Sequence, residues 1–284
     1  MEVRILAENT VYKRGFLGEH GLSMLIKAKG QSYLFDMGQS DVFLRNAKKM
    51  GVDLEQLDGI ILSHGHYDHC GGMWHWARMQ GEPQMAGRGI PIYINRKALD
   101  KKYSQHPATG KMLFSGVHTD AVEWMRGSAN VVYTEGTTTV VGQGVFLLAN
   151  IPHVTEFEFV PAKFWKEVQD GDLEPDNMED EQILVVQDEQ GLCVFAGCAH
   201  PGIINCLRHV QSCFPGVHIH SLVAGMHLKG CTSTQLHKTI QALQELEVDI
   251  TVPLHCTGLM AVAAIKEALG ERCMLAEVGK KIIL

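Results

Sequence analysis

The stretch that most constrains this chain is Ser63-His64-Gly65-His66-Tyr67-Asp68-His69-Cys70-Gly71-Gly72, which sets three histidines and an aspartate within six residues. An apolar run, Gly59-Ile60-Ile61-Leu62, precedes it and reads as a buried strand. Met73-Trp74-His75-Trp76-Ala77 follows the two glycines and reads as the opening of a helix. A strand that stops in such a cluster delivers several ligands at its carboxyl edge, on backbone that Gly65 leaves free to turn. Imidazole and carboxylate are ligands of zinc, manganese and ferrous iron. With 15 histidines in 284 residues, chance does not account for this spacing.

The chain before the cluster reads as strands over residues 3–6, 23–28 and 32–35, the last two joined by a turn at Lys29-Gly30. Ser40 is placed to cap a helix that runs to Met50, with Asp41 in its first turn and Gly51 past its end. A β-hairpin followed by a βαβ unit predicts an α/β layered fold. Residues 81–89 read as a loop and 90–94 as a strand. Residues 131–149 read as a second meander with turns at Gly136 and Gly142. A buried hairpin over 183–186 and 192–196 comes next, then a helix opening at Ile203. A strand over 217–224, a helix through Leu236, Ile240, Leu243 and Leu246, a strand over 249–252 and a helix over 260–269 complete the chain. The second half repeats the grammar of the first, which predicts a single domain over 1–284 with two similar halves facing each other.

Charge and cysteine content narrow the partners. The formal charge is -7, and residues 167–181 hold eight acidic residues with no lysine or arginine, leaving the rest near neutral. That segment, with Gly171, Pro175 and Asn177, reads as a solvated loop. No basic patch emerges, which argues against nucleic acid. The eight cysteines form no C-x-x-C pair, as expected of reduced thiols in a cytoplasmic protein. The amino terminus lacks the apolar core of a signal peptide, and no apolar run approaches the ~20 residues of a membrane span. The aromatic stretch 152–165 reads as core, lid or dimer contact; the sequence allows a homo-oligomer without requiring one.

Four apolar strands end just before a histidine: His64, His200, His227 and His255. In open α/β sheets ligands bind at that edge. Four histidines at equivalent positions predict one shared site, with His227 the least secured as a ligand.

The H-x-H-x-D-H motif resembles the signature of the metallo-β-lactamase superfamily. The resemblance implies a four-layer αββα sandwich, with His64 and His66 on one metal and Asp68 and His69 on a second. His255 matches the last metal histidine, and Phe35-Asp36-Met37-Gly38 resembles the aspartate turn that supports the metal loop. Two departures stand out. The central metal histidine is absent, its region being residues 178–182, and His200 is taken to replace it. Cys198 stands where the bridging aspartate is expected, and either bridges the metals as thiolate or packs. Gly18-Glu19-His20-Gly21-Leu22-Ser23, Phe35-Asp36-Met37-Gly38-Gln39-Ser40, the histidine block, Gly197-Cys198-Ala199-His200-Pro201-Gly202 and Pro253-Leu254-His255-Cys256-Thr257-Gly258 together resemble one branch. It is the branch named for 7,8-dihydropterin-6-methyl-4-(β-D-ribofuranosyl)-aminobenzene-5′-phosphate synthase.

The expectation is a hydrolase with two divalent metal ions, zinc first, manganese or iron as alternatives. A hydroxide held between the metals attacks the carbonyl or phosphoryl centre of an anionic small-molecule substrate. Asp68 orients that water and accepts a proton. Glu19, His20 and His227 read substrate polarity, and the helix N-terminus after Gly202 offers N–H groups to a phosphate. Rival classes are phosphoribosyl transfer in pterin biosynthesis, iron-dependent redox chemistry and non-catalytic metal sensing.

Overall fold

The computed structural model describes residues 1–81 and 89–284, so the loop expected over 81–89 lies almost wholly outside the described residues. Strands β1 (Glu2–Ala7), β2 (Ser23–Ala28) and β3 (Gln31–Phe35) form an antiparallel meander. Helix α1 (Val42–Lys49) follows, then β4 (Gly59–Ile61), the short helix α2 (Tyr67–Cys70) and α3 (Gly72–Gln80). After β5 (Ile92–Asn95) come β6 (Lys102–Gln105), β7 (Met112–Phe114), α4 (Thr119–Gly127) and β8 (Val131–Thr134). The second half holds β9 (Thr138–Gly142), β10 (Val145–Leu148), β11 (Phe164–Glu167), β12 (Leu173–Pro175), β13 (Ile183–Asp188) and β14 (Gly191–Ala196). It continues with α5 (Ile203–Cys213), β15 (Ile219–Gly225), α6 (Ser233–Glu245), β16 (Ile250–Leu254), α7 (Leu259–Leu269) and β17 (Lys281–Ile283).

Two large sheets result, ordered β17-β1-β2-β3-β4-β5-β8 and β16-β15-β14-β13-β10-β9. In each, an antiparallel meander leads into parallel strands, so the sequence's repeated grammar is a repeated topology. Period-2 alternation sends each strand's side chains to two different cores. In β14, Cys193 and Phe195 face the other sheet, where Phe35, Ile61 and Met24 meet them. Leu192, Val194 and Ala196 face outwards, under α5, α6 and α7. Helices α1, α3 and α4 cover the outer face of the first sheet in the same way. The layers are therefore helix, sheet, sheet, helix: the αββα sandwich. Because both faces of the central strands are buried, they read as continuous apolar runs. Among the described residues no helix is long and apolar enough to cross a membrane, and all eight cysteines are free.

Three expectations need correction. Residues 131–149 are not one meander: β8 lies parallel to β5 in the first sheet, and β9 and β10 pair in the second. Alternation identifies a strand but not its partner, and Gly136 (φ 80°) and Gly144 (φ 69°), rather than Gly142, make the turns. The acidic stretch 167–181 is not a solvated loop. It forms β12 in a small third sheet, β12-β11-β6-β7, and Asp176, Asp180 and Glu181 are buried. Asp41 rather than Ser40 takes the cap position by backbone but makes no side-chain cap bond; the capping hydroxyl is that of Ser40, which accepts Val42 N at 3.3 Å and donates to Glu19.

The third sheet belongs to the site. It carries Phe164 against the His66 and His200 rings, with centroids 4.8 and 5.0 Å apart. Within the same aromatic stretch, Phe159 is exposed and Phe157 packs on the α5–α7 core, so one stretch serves several places.

Candidate metal centre

The carboxyl ends of β4, β14, β15 and β16 converge, and the backbone there is bent hard. Ala199, His227 and His255 have φ of 53°, 45° and 50°, and Asp36, at the end of β3, has 57°. Such left-handed non-glycine residues persist where surrounding contacts over-determine them. Gly65 is needed for room rather than for turning. A Cβ there would stand 2.1 Å from the Ala98 carbonyl oxygen.

His64 leaves β4 with its Nδ1 2.9 Å from Ser63 Oγ, and that hydroxyl donates to Asp36 Oδ2 at 2.7 Å. The imidazole N–H is thus on Nδ1, and the Nε2 lone pair faces His66 Nδ1 at 3.1 Å. His69 Nδ1 donates to Asp36 Oδ2 at 2.7 Å, and His255 Nδ1 donates to Asn9 Oδ1 at 2.8 Å. Their Nε2 atoms face each other at 3.2 Å. His200 Nδ1 donates to Glu181 Oε2 at 2.7 Å. Cys198 Sγ lies 3.1 Å from His69 Nε2. Its ligand atom also groups with His64 and His200 on one side, and with His69 and His255 on the other, all within 4.8 Å. Asp68 Oδ2 is 3.3 Å from both His255 Nε2 and His20 Nε2.

This donor set fits divalent metal. Outer hydrogen bonds fix His64, His69, His200 and His255 with Nδ1 as donor, so that the His69 and His255 Nε2 lone pairs point at each other, an arrangement only a proton or a metal ion resolves. His66 Nε2 is buried with no protein partner. Burial pushes His64 and His200 well below their ordinary value and His66 down to about 3, which keeps them neutral and ligand-ready. Burial opposes charge on His69, but Asp36 and Asp68 outweigh it and lift this ring to about 9. Burial also opposes the Asp68 carboxylate; His69 and His255 nevertheless hold it far below the usual carboxylate range. Burial and the neighbouring Cys256 thiol push Cys198 up, so a cation is what would draw out its thiolate.

Of the residues expected from sequence, the structure brings together His64, His66, Asp68, His69, Cys198, His200 and His255. His20 and His227 line the same cavity, of about 430 Å³. The His227 ring lies against His200 with centroids 4.6 Å apart and planes tilted by 46°, and it has a buried, unpartnered Nδ1. Glu19 does not join them: its carboxylate accepts from Gln39 N at 3.0 Å and Ser40 Oγ at 2.5 Å. The helix N-terminus after Gly202 is not open to a phosphate either. Glu158 accepts Ile204 N at 2.9 Å and Asn205 N at 2.8 Å, so a buried carboxylate already fills it.

Asp36 was expected as a support; the other supports are what sequence reasoning missed. Glu181 holds His200 N, His200 Nδ1 and Ala199 N, and burial pushes its carboxyl up to about 8. Asp180 Oδ2 accepts Gly65 N at 2.7 Å, while its Oδ1 meets buried Lys102 at 3.0 Å. Glu8 accepts His255 N at 2.8 Å. Asn9 accepts from His255 and Gly21 and donates to His20 Nδ1 at 3.2 Å, tying three loops together. One signal was present: Asp180-Glu181 abuts the apolar start of β13, at the place where the central histidine was expected.

Cys198→Ser tests the shared sulfur. Mass-spectrometric metal counting should find one equivalent lost and one kept, because the His64–His200 and His69–His255 groups share Sγ, which also groups with His227 and Cys256. Two retained equivalents with near-normal turnover would show that the sulfur only packs.

Comparison with known proteins accords with this geometry. Residues 17–185 match the metallo-beta-lactamase superfamily. A 7,8-dihydropterin-6-methyl-4-(beta-D-ribofuranosyl)-aminobenzene-5'-phosphate synthase of Methanocaldococcus jannaschii is 28% identical, over 99% of this chain and 96% of its own. An uncharacterized protein of the same organism is 26% identical, over 93% and 94%. A solved metal-dependent hydrolase of the beta-lactamase superfamily is 32% identical over 100% of this chain and 99% of its own, with a TM-score of 0.84. The family match spans more than half the chain and the hydrolase matches it end to end: this protein belongs to the metallo-beta-lactamase superfamily.

Proposed function

We propose that the protein is a dinuclear metal-dependent hydrolase of an anionic small molecule. The observation that carries this is Cys198 Sγ, common to the His64–His200 group and the His69–His255 group. His64, His66, Cys198 and His200 would hold one ion, and Asp68, His69, Cys198 and His255 the other. Zinc suits this mixture of imidazole, thiolate and carboxylate. Divalent metal, when bound, supplies Lewis acidity and lowers the pKa of water at the site.

The chain's own residues do the rest. Asp68 stays ionised, as a metal ligand must, and would accept a hydrogen bond from the attacking water; His20 Nε2 meets its Oδ2 and orients it. Phe164 closes one wall against His66 and His200 and excludes water from it. Lys163 and Lys229 line the cavity and supply the positive field for an anionic group. With the α5 N-terminus filled by Glu158, these lysines take over the anion-binding role.

The test is metal analysis of protein purified without added metal, followed by a panel of phosphodiester, lactone and thioester substrates. About two equivalents of zinc and chelator-sensitive cleavage of one class are expected. Full turnover after the metal has been stripped would sink the reading. A protein with two metals that joins a phosphoribosyl donor to an acceptor, without hydrolysis, would favour the synthase chemistry named for the 28% identical relative.

A further inference from the structure

A second cavity, of about 510 Å³, adjoins the one over the histidines. Asn9, Lys229 and Gly230 line both. This second space runs along His255 and the first turn of α7 and is bordered by Tyr12, Leu259, Met260 and Leu275. Tyr12, Leu259 and Met260 are 82%, 80% and 81% exposed, and Leu275 is 47% exposed. The α7 helix buries Ala261, Ile265 and Leu269 in the core, so Leu259 and Met260 are not needed there. Four large apolar side chains around one groove form a patch of the kind that marks a binding surface. The volume is that of a small-ligand site.

We propose that this groove takes the apolar arm of the substrate, and that the substrate is therefore an amphipathic anion: an acidic head at Lys229 and the histidine cavity, with an alkyl or aryl arm along Leu259 and Met260. The shared wall decides for the substrate over another occupant. Lys229 and Asn9 wall both spaces, and Asn9 also holds His255 and His20. Glu277 stands at the groove, so the arm carries no second anionic group there. The inference rests on the histidine cavity being the reaction site.

Calorimetric titration of the metal-loaded protein with acetate, hexanoate and decanoate tests it. Affinity should rise about fourfold per buried methylene, the increment of a CH₂ leaving water. The double variant Leu259→Asp, Met260→Asp changes only exposed positions; it should flatten that rise and leave acetate binding unchanged. His66→Ala should weaken all three acids alike and keep the slope, so failure of the metal reading and failure of the groove reading are distinguishable. Equal affinity for the three acids, or an unchanged slope in the double variant, overturns the proposal. So does a wild-type dimer that the double variant converts to monomer in sedimentation, since the groove would then be an interface between copies.

Discussion

His66→Ala is expected to lose bound metal and reduce turnover to background while the fold survives. The ring is 4% exposed, so alanine leaves a void, but it lies in a loop held by other contacts. Asp36 accepts Ser63 N at 2.7 Å, and Asp180 holds Gly65 N. Neither bond uses the imidazole. What disappears is the donor opposite His64 Nε2. Loss of a residue that merely orients a ligand costs roughly 10–100-fold in metal affinity, and loss of a ligand should exceed that. Metal counting after dialysis and a circular-dichroism melt read the two effects separately. Full metal stoichiometry in the variant would remove His66 from the ligand set.

Lys102→Met should produce the largest loss of stability. The ammonium is 1% exposed and lies 2.5 Å from Asp176 Oδ2 and 3.0 Å from Asp180 Oδ1. Methionine would leave two buried carboxylates without a counter-charge. Breaking a buried pair from one side costs about 3–5 kcal/mol. Burial favours the neutral amine, yet Asp180 and Asp176 outweigh it and hold Lys102 above the ordinary lysine value. For a raised cationic group the stabilisation is full below the unfolded-state pKa and fades only as pH rises through the higher folded one. Urea unfolding at neutral pH therefore reads the whole effect. Metal affinity should fall as well, since Asp180 then loses its anchor and Gly65 N its fixed acceptor. An unchanged unfolding midpoint would show that solvent compensates the triad.

The two predictions divide along what was legible in the sequence. His66 sits in a six-residue cluster behind an apolar strand, and both the strand and the ligands are local features. The α/β elements were legible for the same reason, since apolar runs with period 2 or 3.6 appear in any window long enough to hold them; their αββα layering was what the resemblance of the histidine motif implied. The four histidines could be assigned to one edge because chain direction through parallel strands puts every carboxyl end on the same side.

What only the tertiary structure decided depends on partners far along the chain. Acidic residues 167–181 read as solvated because no window there contains Lys102, which neutralises Asp176 and Asp180 from 74 and 78 residues away. The α5 N-terminus read as free because Glu158 reaches it from 46 residues upstream of Ile204. Glu19 read as a substrate contact until Gln39 and Ser40 took its carboxylate. Met260 opens the helix expected over 260–269, and only packing shows it and Leu259 facing a groove. The sequence by itself determined the elements and the chemistry at their ends, because both are written within a few residues. Which charges are buried, which caps are filled and which apolar side chains stay in water were decided by tertiary structure, because each depends on a contact whose two halves are distant in sequence.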